Sequence, residues 1–313
     1  MIPRDCERGV FMARVSAQRA LCSEHFELTL AIEGFPDAIP GQFLQVQCRP
    51  PCAAPIERPQ RPDDSPCANP CADRALPMLR RPFSLGGLRR AGTHIEIDIV
   101  ARVVGPGTAW LDARRAGEPV NVIGPLGRGF SSPPPGRSAL LVAGGVGLPP
   151  IRWLGETLCK QMVPCRAIFG ARTRDLLPIT LVAEPRGNGE FTPCLGGFSS
   201  HGLSAMITTD DGSCGLQGRV SDGLQRCLNR CADRDALFVY ACGPEPMLRA
   251  VASLCRRYKV RCEVAMERMM ACGMGTCQSC VVRVRDDSCA AGWRYALCCT
   301  EGPVFDAADV AWR

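Results

Sequence analysis

The chain of 313 residues is long for one hydrophobic core, so roughly two or three folding units are expected. Hydrophobic residues make up 46% and charged residues 22%, which excludes the disordered and fibrous classes. The formal net charge of +6 is spread without a dense Lys/Arg block, so a nucleic-acid partner has little electrostatic support. Met1-Ile2-Pro3-Arg4-Asp5-Cys6 lacks the apolar run of a signal peptide, and no stretch of about eighteen apolar residues occurs, which places the chain in the cytoplasm. Thiols stay reduced there, so the twenty-one cysteines are read first as potential metal ligands and not as a disulfide framework.

The first unit, residues 1–137, reads as a small antiparallel barrel. Segments such as Phe26-Glu-Leu-Thr-Leu30 and His94-Ile-Glu-Ile-Asp-Ile99 alternate apolar and polar with period two. Residues 48–77, crowded with Pro, Cys, Ala and Asp, have no periodicity and read as an inserted loop, in which Cys48/Cys52 and Cys67/Cys71 could at most hold zinc. Arg81-Pro82-Phe83-Ser84 follows the R-x-[YF]-[ST] flavin pattern: an arginine for phosphate, an aromatic ring for the isoalloxazine, a hydroxyl near its N5. Arg80 could take the place of Arg81. Val100-Ala101-Arg102 and Gly105-Pro-Gly107-Thr108 follow, where glycines let the backbone approach a dinucleotide and Arg102 and Thr108 can meet its phosphates.

The second unit, residues 138–262, reads as a parallel α/β domain. A continuous apolar strand, Ser138-Ala-Leu-Leu-Val-Ala143, runs into Gly144-Gly145-Val-Gly147-Leu-Pro-Pro and then an amphipathic helix through Lys160. Further apolar strands begin at Arg166 and Ala236, and Tyr240-Ala-Cys242-Gly243-Pro-Glu-Pro-Met247 turns at a strand's C-terminal end, where such sheets bind nucleotides. Cys242 would lie near a nicotinamide, or be a buried structural thiol. Arg172 and Arg174 leave NADH and NADPH undivided. Cys227 and Cys231 suit one helix face, and His94 and His201 have no nucleophile motif beside them, so hydrolysis has no foothold.

The third unit, residues 263–313, is a cysteine-rich tail. Cys272-Gly-Met-Gly-Thr-Cys277-Gln-Ser-Cys280 matches the C-x4-C-x2-C spacing of a plant-type [2Fe-2S] site, with a fourth thiolate due downstream. Spacing leaves Cys289, Cys298 and Cys299 open for that place; the turn Thr300-Glu-Gly-Pro-Val-Phe favours Cys299. Met269, Met270 and Met274 could shield the cluster from water.

Taken in order, Arg81-Pro-Phe-Ser, Gly105-Pro-Gly-Thr, Gly124-Pro-Leu-Gly-Arg-Gly-Phe, Gly144-Gly-Val-Gly-Leu-Pro-Pro, Thr209-Asp-Asp-Gly-Ser, Cys242-Gly-Pro-Glu-Pro-Met and Glu267-Arg-Met-Met-Ala-Cys-Gly with Cys299-Thr-Glu-Gly-Pro-Val-Phe resemble one family. It is the electron-transfer subunit of the two-subunit, NAD-linked dihydroorotate dehydrogenase, within the ferredoxin-reductase superfamily. The resemblance runs from about residue 10 to the C-terminus. It implies one FAD, one [2Fe-2S] cluster ligated by Cys272, Cys277, Cys280 and Cys299, and NAD(H) as co-substrate. It also implies a partner subunit holding FMN that oxidises dihydroorotate to orotate in pyrimidine biosynthesis, with electrons passing through cluster and flavin to NAD+. Hydrogenase, sulfite-reductase and ferredoxin:NADP reductase subunits share the architecture and remain rivals, as does a non-enzymatic redox sensor.

Overall fold

A computed structural model describes residues 8–49, 78–196 and 203–312. Cys52, Cys67, Cys71 and His201 lie outside these residues. The first sheet is built from β1 (Gly9–Cys22), β2 (His25–Glu33), β3 (Phe43–Val46), β4 (Arg81–Ser84), β5 (Gly87–Ala91) and β6 (His94–Arg102), with a short helix α1 (Pro106–Asp112) before β7 (Pro119–Leu126). Its order is β4-β3-β7-β1-β2-β6-β5, all antiparallel. β4 and β5 are two halves of one bent strand: β4 lies on β3, β5 on β6, and the Gly86 N–H donates to the Asp98 carbonyl at 2.8 Å. The sheet therefore curls into the expected barrel, leaving few free edges.

Strand alternation fills it. Phe26, Leu28, Leu30 and Ile32 from β2, Leu44 and Val46 from β3, and Ile95, Ile97, Ile99 and Ala101 from β6 share one core. Cys48 belongs to that core too, 0% exposed, its thiol pushed up to about 12 by burial. It does not open the inserted loop, as composition suggested, but completes the barrel wall two residues after β3.

The second sheet is parallel apart from one edge strand. It comprises β8 (Ser138–Gly144), the helix α2 (Leu148–Lys160), β9 (Cys165–Ala171), β10 (Ser204–Thr209), β11 (Leu216–Gln217), the helix α3 (Val220–Arg230), β12 (Leu237–Cys242), the helix α4 (Glu245–Tyr258) and β13 (Arg261–Ala265). The tail adds β14 (Val281–Arg285) and β15 (Trp293–Leu297), which form a hairpin, and β16 (Val304–Asp306). β16 pairs antiparallel with β13, giving the order β11-β10-β9-β8-β12-β13-β16. The expected boundary at residues 262/263 thus falls inside β13, and the tail returns a strand to the nucleotide-type sheet. No helix among the described residues is long and apolar enough to cross a membrane.

Helix α2 docks this second unit on the barrel. Trp153 is 7% exposed and packs in the barrel core, a burial that contributes roughly 3 kcal/mol. The adjacent residue Arg152 pairs with Glu27 at 3.1 Å and lies 3.8 Å from Asp98, on the outer face of β2 and β6. Asp98 also accepts from Thr29 at 2.7 Å and pairs with Arg89. Burial would raise the Asp98 pKa, but these hydrogen bonds outweigh it and hold the carboxyl below its usual range.

A second junction ties barrel, sheet and tail together around small residues. The Arg128 N–H donates to the Gly302 carbonyl at 2.6 Å and the Phe130 N–H to the Pro40 carbonyl at 2.8 Å. Ser131 binds the Glu263 carboxylate through its N–H at 2.9 Å and its hydroxyl at 2.6 Å. A Cβ on Gly127, whose φ is +76°, would lie 2.6 Å from Pro303 Cδ, so only glycine fits there.

Candidate functional site

The glycine turn after β8 and the turn after β12 lie against each other at the C-terminal edge of the parallel sheet, where such sheets bind ligands. A Cβ on Gly147 would stand 2.3 Å from the Cys242 carbonyl oxygen and 2.5 Å from Gly243 N. One on Gly144 would stand 2.6 Å from Met247 Sδ, and Gly145 has φ +54°. Local sequence makes each turn; their contact needs the sheet. Cys242 is 3% exposed and its side chain packs in the sheet's core, where burial, with Glu267 nearby, pushes the thiol well above its ordinary value. Arg174 is engaged by Glu184 at 2.7 and 3.1 Å, while Arg172 is exposed beside the Asp210–Ser213 turn, its carbonyl accepting from the Asp211 N–H at 3.3 Å.

The flavin motif is strand β4, in register Arg81↔Val46, Pro82↔Gln45, Phe83↔Leu44 and Ser84↔Phe43. Arg80 spends its guanidinium on the barrel, donating to the Gln45 carbonyl at 3.3 Å, the Asn121 carbonyl at 3.1 Å and the Asn121 side chain. Arg81 is exposed and donates only to the carbonyls of Leu79 at 3.2 Å and Arg80 at 3.3 Å, with no carboxylate partner among the described residues. That leaves Arg81, not Arg80, with a cation available for phosphate.

Phe83 departs from the expectation. Alternation turns its ring into the barrel core at 9% exposure, while Pro82 and Ser84 keep partial access to solvent. Val100 and Ala101 are buried, and Ala101 packs in the core. Arg102 donates to Glu24 at 2.7 Å. The Thr108 hydroxyl closes its own loop, accepting from the Val104 N–H at 2.9 Å and the Gly105 N–H at 3.2 Å, while Gly107 is buried.

Flavin and glycine motifs are neighbours. A Cβ on Gly86, two residues after Ser84, would lie 3.1 Å from Pro149 Cβ in the first turn of α2, and Arg152 reaches the Gly86 carbonyl at 3.5 Å.

The cysteine loop packs against β3, the strand paired with the flavin motif: a Cβ on Gly273 would lie 2.5 Å from Gln45 Cγ. The N–H groups of Met274 and Cys277 point at Cys272 Sγ, each at 3.4 Å, and Gly273 and Gly275 supply φ values of +73° and +92°. Cys299 interacts with the Cys280 thiol and the Gly275 N–H; burial and then Cys280 push its thiol up to about 12. Cys280 and Cys299 are each 2% exposed, whereas Cys277 is exposed. The loop thus presents its thiols as two linked pairs, and among the described residues no group of three potential ligands stands at metal-binding separation. Four thiols with amide N–H groups directed at sulfur are nonetheless the donor set an anionic iron–sulfur core requires.

Geometry separates the fourth-ligand candidates. Cys298 is 0% exposed, with its thiol directed at the Met266 carbonyl at 3.4 Å and its N–H on the Cys280 carbonyl at 2.9 Å. Cys289 sits in the turn that joins Arg285 to Trp293, at the far end of the β14–β15 hairpin, roughly 14 Å of strand away from Cys280. Met270 is buried, but Met269 is 90% exposed and Met274 44%, so only Met270 covers the loop from within.

Arg268 was missed by sequence reasoning. It donates to Glu245 at 2.9 Å, at the start of α4, and to the Val281 carbonyl at 3.3 Å, next to Cys280. Its place in the Glu267-Arg-Met-Met motif was the available signal. This guanidinium joins the Cys242 turn to the cysteine loop.

Cys277 carries a testable signature. The Ser279 hydroxyl at 3.2 Å and the Cys272 side hold its thiol down at about 6. Apoprotein at pH 7 should therefore be alkylated by iodoacetamide at Cys277 well before Cys242 or Cys298, as read by peptide mass spectrometry. Equal labelling of all three would show that the loop is not ordered in this way.

Comparison with known proteins agrees with this layout. Residues 267–311 match the family model described as the iron-sulfur cluster binding domain of dihydroorotate dehydrogenase B, and residues 141–253 match the oxidoreductase NAD-binding domain. The dihydroorotate dehydrogenase B (NAD(+)) electron transfer subunit of Bacillus caldolyticus is 34% identical over 95% of this chain and 96% of its own length. The protein of that name from Desulforamulus reducens is 31% identical over 88% of each. Among solved structures, the NADH-dependent reduced ferredoxin-NADP oxidoreductase superposes with a TM-score of 0.70 at 22% identity, covering 96% of this chain and 90% of that one. The ferredoxin reductase of carbazole 1,9a-dioxygenase follows at 0.58, 18% identity, with 82% and 67% covered. Both establish the ferredoxin-reductase-like fold.

Proposed function

The chain belongs to the electron transfer subunits of NAD-linked dihydroorotate dehydrogenase B, and from that premise we propose that it carries electrons between an FMN-bearing catalytic subunit and NAD+. The partner oxidises dihydroorotate; this chain does not bind it. FAD and a [2Fe-2S] cluster supply, when bound, hydride exchange with the nicotinamide and one-electron exchange with the partner.

The chain's own residues bind, orient and enclose. Arg81 offers a free cation to phosphate and Ser84 a hydroxyl beside it, with Val100, Ala101, Arg102, Gly107 and Thr108 forming the wall on which the dinucleotide lies. Arg102 and Thr108 would exchange their internal partners for it. Gly144 and Gly147 let the first turn of α2 and the turn at Cys242 and Gly243 pack against each other, and Gly145, with nothing within 4 Å of its Cβ position, leaves the backbone open to the nicotinamide nucleotide. Cys272, Cys277, Cys280 and Cys299 hold the cluster. The cytoplasm suits a chain whose described cysteines are all free thiols.

One observation carries this reading: three motif-bearing segments meet, Gly86 on Pro149, Gly147 on Cys242, and Arg268 between Glu245 and Val281. Electron transfer between bound groups requires such proximity. The test is reconstitution with the FMN-bearing subunit. The wild-type chain should reduce artificial acceptors with NADH alone and produce NADH from dihydroorotate only in the complex. Cys277→Ala should keep the first activity and lose the second while the complex still forms. Dihydroorotate oxidation by the chain alone would refute the subunit assignment.

A further inference from the structure

The outer face of β3 carries a polar side chain that no role above uses. Alternation sends Leu44 and Val46 into the barrel core and turns Phe43 into the core shared with the C-terminal segment; Gln45 projects on the same side as Phe43. Gln45 is 0% exposed, and neither its Oε1 nor its Nε2 has a hydrogen-bond partner among the described residues. A buried carboxamide with both polar atoms unpaired is disfavoured enough that a partner is expected.

What it faces is the cysteine loop. A Cβ built on Gly273 would lie 2.5 Å from Gln45 Cγ and 2.8 Å from Gln45 Nε2. Gly273 follows Cys272, whose sulfur already receives the N–H groups of Met274 and Cys277. Across β3 and β4, Gln45 is in register with Pro82 of the flavin motif. One residue therefore touches both the flavin strand and the thiolate corner.

We propose that Gln45 is a positioning residue of the iron–sulfur site: its Nε2 donates a hydrogen bond to sulfur at the Cys272 corner, seating the loop on β3 and favouring the reduced cluster. The inference rests on the reading of Cys272, Cys277, Cys280 and Cys299 as cluster ligands. One-electron reduction adds one negative charge, shared by the sulfurs; no bond breaks and no proton moves. A donor held in a dry site stabilises that charge more than water would, and so raises the potential.

The test uses the full chain with its cofactors, as wild type, Gln45→Leu and Gln45→Met. Dithionite titration followed by electron paramagnetic resonance reads the cluster potential, and visible absorbance reads the flavin. The equilibrium constant for one-electron reduction of the cluster should fall about tenfold in both variants, equivalent to about 59 mV, with the flavin potential unmoved. Pulsed resonance on wild-type protein labelled with 15N in glutamine side chains should show a nitrogen coupled to the reduced cluster, absent from Gln45→Leu. An unchanged cluster potential in loaded variants, or a shift confined to the flavin, overturns the proposal. Should neither variant fold, the 15N coupling is read in a Gln278→Ala chain, which removes the loop's own glutamine, and its absence there overturns the proposal. A wild-type chain with iron but no [2Fe-2S] signal overturns the ligand reading first, and this inference with it.

Discussion

Replacing Cys299 with serine should abolish the [2Fe-2S] spectrum, whereas Cys298→Ser should leave it in place. The two residues are adjacent and equally buried, at 2% and 0% exposure, so burial does not distinguish them. Direction does. The Cys299 thiol meets Cys280 and the Gly275 N–H, inside the loop, while the Cys298 thiol meets the Met266 carbonyl on the other side of the chain. Cysteine thiolate is the ligand this site type needs, and a serine hydroxyl at an interior corner is a poor substitute. Cys298→Ser should cost about 1–3 kcal/mol of stability through the altered buried group, with visible absorbance and the reduced-state resonance retained. Cys289→Ser, at the far end of the hairpin, should be silent in both. Bleaching by Cys298→Ser with survival of Cys299→Ser would move the ligand by one residue and reverse the direction argument.

Much of this site was readable because its signals are local. The C-x4-C-x2-C run lies within nine residues of chain, and its glycines at 273 and 275 occupy the positive-φ positions that such a turn requires. The turns at Gly144 and Cys242 each follow a continuous apolar strand, so period and punctuation located both. Residues whose surroundings come from distant chain were not readable. Phe83 suited an exposed aromatic platform by motif, yet its register opposite Leu44 sends the ring into the barrel core. Cys48 looked like the first residue of a cysteine-rich loop, yet the wall of the barrel extends past β3 and encloses it. β16 is three residues long and gains its place only by pairing with β13, so the tail's return to the sheet had no local signature. Gln45 and Arg268 belong to the same class: what makes them notable is the segment each one faces.

The contact between Gly147 and the Cys242 turn leads to the second large expected effect, that Gly147→Ala lowers NADH-dependent acceptor reduction about 100-fold while leaving the cluster spectrum intact. The added methyl would stand 2.3 Å from the Cys242 carbonyl oxygen and 2.5 Å from Gly243 N, both backbone atoms that no side-chain rotation can move aside. Either α2 or the turn after β12 must therefore shift. α2 is held by Trp153 in the barrel core and Arg152 on Glu27, so the strain falls on the two turns proposed to frame the nicotinamide. Overpacking of this kind costs roughly 1–3 kcal/mol of stability, measurable by thermal unfolding. Gly92, in the turn between β5 and β6 and outside the motifs, is the control: its Cβ would meet nothing within 4 Å, but its φ is +61°, a conformation asparagine tolerates best after glycine. Gly92→Asn should accordingly retain most of the NADH activity, and Gly147→Ala should not. Equal activity in the two variants would mean that the two turns do not jointly form the nicotinamide site. A cluster spectrum lost with Gly147→Ala would mean that the tail depends on this contact for its fold.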